Sequence, residues 1–143
     1  MVDYPVSFSS RSEAKNSEET WHLKTDEGLE TDMSVPEEFG GDSENPSPED
    51  LFSASLQTCM IATFKTIAER KNLKYNRIKS EASVNLDRGD DSRPVMKDGK
   101  IKLEVSGIKD HGKAEKVAHA TEKNCFIHNS VKTDVRTSFE FTE

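Results

Sequence analysis

Asn45-Pro46-Ser47-Pro48-Glu49-Asp50-Leu51-Phe52-Ser53-Ala54-Ser55-Leu56-Gln57-Thr58-Cys59-Met60 reads as the start of a long helix, and that helix organises the rest of this 143-residue chain. Ser47 supplies the oxygen of an N-cap. Pro48 takes the first helical position, where a missing N–H costs nothing, and Asp50, three residues after the cap, completes an acidic variant of the capping box. At 100° per residue, Phe52, Leu56, Cys59, Met60, Thr63 and Ile67 fall within one arc, while Lys65, Glu69 and Lys71 lie off it or at its end. The arc places Cys59 in the middle of the buried face. A cysteine there is either a small hydrophobe filling space or a nucleophile in an apolar pocket, and position alone does not separate the two.

Before the helix, residues 6–9, 20–24 and 29–33 alternate in the half-buried strand pattern, with a turn at Asp26-Glu27-Gly28, and predict a small antiparallel meander. Residues 36–47 shift to Pro, Gly, Ser, Asn and acids, the composition of an exposed loop within one domain spanning residues 1–143. After the helix, residues 78–87 and 100–107 read as paired strands joined by a charged hairpin loop. Its Arg88-Gly89-Asp90 triplet is a turn sequence. A second helix runs from Asp110 or Gly112 to about Lys123, Cys125 follows at once, and residues 132–141 alternate as a last strand. The order β-β-β-α-β-β-α-β is that of an α+β fold.

Only 32% of the residues are apolar and the mean hydropathy is -0.79, so a lone subunit has a thin core that dimerisation would thicken. A net charge of -7 and a pI near 5.2 argue against a nucleic-acid partner, which calls for a basic footprint. No apolar run approaches the ~18 residues of a membrane span and no signal-like start is present, so a cytoplasmic protein with no membrane partner is expected. In a reducing compartment two cysteines 66 positions apart (59 to 125) suit a transient disulfide better than a structural one. His22, His111, His119 and His128 are scattered. Cys125-Phe126-Ile127-His128 has half of a zinc spacing without the two further ligands a site requires, and neither a metal nor another cofactor is expected. The His128 side chain is instead a candidate to tune Cys125 by hydrogen bonding.

The helix-start stretch, with Asn-Pro-x-Pro-Glu-x-Leu followed by a mid-helix cysteine, and the second stretch Asn124-Cys125-Phe126-Ile127-His128-Asn129-Ser130-Val131 together resemble the OsmC/Ohr family of thiol-dependent peroxidases. The resemblance implies antiparallel sheets wrapped around central helices in an intertwined homodimer, with the sites at the subunit interface. It implies Cys59 as the peroxidatic cysteine and Cys125 as the resolving one, joined in a disulfide that a cellular dithiol reduces, in defence against oxidative stress. Chemically, a thiolate attacks the peroxide O–O bond, becomes a sulfenic acid and condenses with the second thiol. An apolar pocket favours organic hydroperoxides as substrates, and Phe52, Leu56, Met60 and Phe126 are the candidates to line it. In the family a glutamate at the helix start, matched by Glu49, holds an arginine that activates the thiolate. Counting back without gaps reaches Ser17-Glu18-Glu19, where no arginine stands. Arg11 is the only arginine before the helix and the candidate for the role on a shifted alignment, with Lys15 lacking the planar fork the role requires. The alternative is a divergent, non-catalytic OsmC-like protein that binds a small apolar ligand or senses stress through its thiols.

Overall fold

Three strands, a long helix, two strands, a second helix and a last strand succeed one another: β1 (Ser10–Ala14), β2 (Trp21–Thr25), β3 (Glu30–Met33), α1 (Pro48–Arg70), β4 (Arg77–Arg88), β5 (Pro94–Ser106), α2 (His111–Asn124) and β6 (Asp134–Phe141). The computed structural model describes residues Met1–Glu143 in two compact units, Met1–Phe52 and Ser53–Glu143, and the boundary falls inside α1. The order is the α+β order that the alternation predicts. No helix is long and apolar enough to cross a membrane.

In the first unit β1, β2 and β3 form an antiparallel sheet in that order. The first strand differs from expectation. It lies at Ser10–Ala14, and Val6 and Phe8, which alternation places in a strand, are 47% and 85% exposed. Alternation marks a segment able to be a strand, but a ladder partner makes it one, and β2 pairs from Thr25 with Ser10 to Trp21 with Ala14. The loop after β3 returns on itself, with the Ser34 N–H bonded to the Pro46 carbonyl at 3.0 Å. Gly41 is required there because a Cβ would collide with the Val35 carbonyl oxygen. That loop delivers the chain to the capping box as the sequence predicts. The Asp50 N–H donates to Ser47 Oγ at 3.1 Å, while the Ser47 N–H and hydroxyl donate to Asp50 Oδ2 at 2.9 and 3.0 Å.

The second unit contains the core. β4 pairs antiparallel with β5, with a register shift at Asn85/Leu86, and β6 pairs parallel with β5, so the sheet order is β4-β5-β6. The parallel pair departs from the antiparallel expectation. Its cause is α2, a crossover that carries the chain back before β6 begins, as parallel neighbours require. As the central strand, β5 buries Ile101, Leu103 and Val105 to 1% exposure or less. Phe64 and Ala68 of α1, Leu73, Ile108, and Ala114 and Val117 of α2 close one cluster with Val105. The Phe64 ring meets Tyr75 edge-on at 5.8 Å and stacks with Phe139 at 6.0 Å. α2 begins where expected, with the Asp110 carboxylate accepting from the Lys113 N–H at 3.0 Å.

Candidate functional site

The buried stripe of α1 is Leu56, Met60, Phe64 and Ala68, each separated by four residues. Steps of four advance 40° around a helix, so the centre of this stripe lies roughly 120° from Cys59. Cys59 is accordingly half-buried, at the flank of the core face instead of its middle. Counted at 100° per residue, the arc runs from Cys59 at one edge to Met60 at the other, so the central place expected for Cys59 does not follow from it, and the buried stripe continues away from Cys59 through Phe64 and Ala68. The flanking position turns Cys59 toward a chemical partner. Cys125, fully buried immediately after α2, lies near enough to Cys59 for that side chain to raise its pKa.

The two sulfurs have different surroundings. Burial, first, and then the hydrogen bond to and charge of Cys59 push the Cys125 thiol up to about 11, and the backbone N–H groups of His128 and Ile127 act in the opposite direction. Near neutral pH, Cys125 therefore holds its proton and can offer it to the Cys59 sulfur. The other polar neighbour of Cys59 is the Thr63 hydroxyl, 4.0 Å from the sulfur. It donates to the Cys59 carbonyl at 2.8 Å, which leaves its oxygen as an acceptor on the sulfur side.

The turn that frames Cys125 is local. α2 ends at Asn124, Cys125 leaves it with an extended backbone, and a 3₁₀ turn at His128–Ser130 follows. The Asn129 N–H bonds to the Cys125 carbonyl at 3.0 Å and the Ser130 N–H to the Ile127 carbonyl at 3.0 Å, holding the loop closed. The sequence offers the His128 side chain for a tuning role. In the structure it is the backbone N–H that reaches sulfur, whereas the ring Nδ1 is buried without a partner. A cysteine one residue past a helix end, followed by a short turn, is the available signal for such donors.

The other expected site residues are divided between the two units. In the first unit, Arg11 lies on exposed β1 and pairs with Asp26 at 3.1 Å. Glu49 is half-buried at the start of α1, and its Oε2 is buried with no hydrogen-bond partner. The pairing expected between a glutamate at this position and an arginine is thus not made by Arg11. Phe52, in the same unit, is half-buried. In the second unit Leu56 and Met60 are fully enclosed by packing, and Phe126 is 73% exposed. An open groove of about 650 Å³ runs along α1 past Thr58, Ile61, Lys65 and Glu69 and includes neither cysteine among its lining residues.

Comparison with known proteins agrees with the motif and the geometry. The family model described as OsmC-like protein matches residues 40–140. An uncharacterised protein of Acinetobacter baylyi is 28% identical over 137 residues, covering 94% of this chain and 93% of its own. An organic hydroperoxide resistance protein of Xanthomonas axonopodis pv. citri is 28% identical over 83 residues, 57% of this chain and 58% of its own. Among solved structures, an OsmC-like protein of unknown function from Vibrio cholerae superposes with a TM-score of 0.84 at 22% identity, covering 94% of this chain and 99% of its own. With a family match over most of its length, the same fold, and the two cysteines of its motifs brought side by side, the chain belongs to the OsmC/Ohr family.

Proposed function

We propose that this protein is a thiol-dependent peroxidase that reduces organic hydroperoxides in the cytoplasm, acting as a homodimer in defence against oxidative stress. The observation that supports it best is the proximity of two cysteines 66 positions apart in sequence, one flanking the core and one enclosed. In the proposed cycle the Cys59 thiolate attacks the O–O bond of the hydroperoxide, forming Cys59 sulfenic acid and releasing an alkoxide that takes up a proton. The Cys125 thiol then displaces water from the sulfenic acid and the disulfide forms. A cellular dithiol returns both sulfurs to thiols. The name of the Xanthomonas relative supports organic hydroperoxides as the substrate class.

Intact mass tests the cycle directly. Reduced protein given one equivalent of cumene hydroperoxide is expected to lose two hydrogens, faster than with hydrogen peroxide, and a Cys59→Ser variant is expected to keep its mass. No loss in the wild type would reject peroxidase function. The second reading, a non-catalytic OsmC-like protein that binds an apolar ligand or senses stress through its thiols, draws on the engagement of Arg11 by Asp26 and the lone Oε2 of Glu49. It is the reading to adopt after that result.

A further inference from the structure

The asymmetry between the two sulfurs bears on the reductive half of the cycle. Cys125 has no exposed surface, whereas Cys59 is half-buried on the flank of α1. Thiol–disulfide exchange requires the incoming thiolate to reach one sulfur while the other leaves, and the leaving sulfur must carry negative charge as the bond breaks. The backbone N–H groups of His128 and Ile127 lower the Cys125 pKa by less than burial raises it, and the Thr63 hydroxyl lies 4.0 Å from the Cys59 sulfur.

From this geometry we infer that the dithiol reductant attacks the disulfide at Cys59, and that Cys125 is the sulfur that leaves. The inference rests on the proposed cycle, whose product is this disulfide. In the step, one reductant thiolate forms a bond to Cys59 Sγ as the Cys59–Cys125 bond breaks, and the electron pair of that bond goes to Cys125 Sγ. The Cys125 thiolate then takes up a proton. The reductant's second thiolate next attacks its own sulfur in the mixed disulfide, closes the oxidised dithiol and releases Cys59. Two electrons pass from the dithiol to the protein, and both cysteines end as thiols. Burial at Cys125 closes that sulfur to attack, and because the same burial raises its thiol to about 11 and makes it the poorer leaving group, the choice of sulfur rests on access alone.

The test forms the disulfide with diamide, so that it does not depend on peroxide. The oxidised wild-type protein is then mixed with 2-mercaptoethanol, a monothiol that cannot complete the second step. Acid quenching, alkylation with N-ethylmaleimide and peptide mapping locate the adduct. The expected result is 2-mercaptoethanol on Cys59 and maleimide on Cys125, in at least ~10-fold excess over the reverse. An adduct on Cys125, or equal amounts on both, would overturn the inference. If diamide closes the disulfide and the adduct forms on Cys59 while hydroperoxide gives no mass change, the peroxidase reading fails alone. If diamide cannot join the two cysteines, both fail.

Discussion

Different physics holds each of the two units of this chain. In the first, Met33 is the one fully buried apolar side chain, and the sheet carries charges across its strands: Arg11 with Asp26, and His22 between Glu30 and Asp32. In the second, α1, α2 and the β4-β5-β6 sheet enclose a continuous apolar cluster around Phe64. Burial scales with apolar area removed from water, at about 25 cal/mol per Å², whereas exposed ion pairs contribute about 0–1 kcal/mol each. The chemistry follows the same division. The cysteine pair lies within the second unit, where packing can hold two sulfurs at a fixed separation. The charged sheet of the first unit depends on solution conditions.

This contrast is open to attack, and the largest effect belongs to the core. Phe64→Ala removes the ring that packs against both Tyr75 and Phe139, and is expected to lower stability by ~3–5 kcal/mol in urea unfolding. A cost below about 1 kcal/mol would mean that the second unit does not rest on this cluster. At the start of α1, Ser47→Ala removes one acceptor and one donor from the capping box. A loss of about 1 kcal/mol by the same measurement is expected, with hydrogen exchange accelerated in the first turn of the helix.

The smallest effect, and the one most sensitive to conditions, is at His22. Its Nδ1 lies 3.0 Å from Asp32 Oδ1 and its Nε2 2.9 Å from Glu30 Oε1, so only the doubly protonated ring donates to both. The hydrogen bond to Asp32, then that to Glu30, raise its pKa above the ordinary 6.5. A group whose folded pKa is raised stabilises fully below its unfolded value, and that contribution disappears as pH rises through the folded value. The difference in melting temperature between wild type and His22→Gln is therefore expected to be largest below about pH 6.5 and to vanish above the folded pKa, which NMR titration of the ring would locate. A difference independent of pH would show that the histidine acts through packing alone.

Legibility in the sequence tracks the range of the interaction involved. Ser47, Pro48 and Asp50 act within one helical turn, so the start of α1 is readable from residue types alone, as is Asp110 at the start of α2. The strands of the second unit are readable because alternation is local, with β5 extending further toward the hairpin than expected. The segment around Val6 and Phe8 shows the weakness of that signal, since the pattern is present and the partner is not. At the site, the motif stretches single out Cys59, Cys125 and Glu49. The apolar i+4 row Leu56, Met60, Phe64 and Ala68 is present in the sequence, but only packing shows that this row, and not the adjoining one through Cys59, is the core stripe.

By itself the sequence determined the element order, the helix caps, the acidic surface and the family, because each is encoded in residue type and in spacings of a few positions. Only the tertiary structure decided that β6 runs parallel to β5, that Arg11 is engaged by Asp26, and that Cys125 is enclosed next to Cys59. These depend on where chain segments far apart in sequence come to rest. That placement is set by the packing of whole faces against one another, which no single stretch of residues contains.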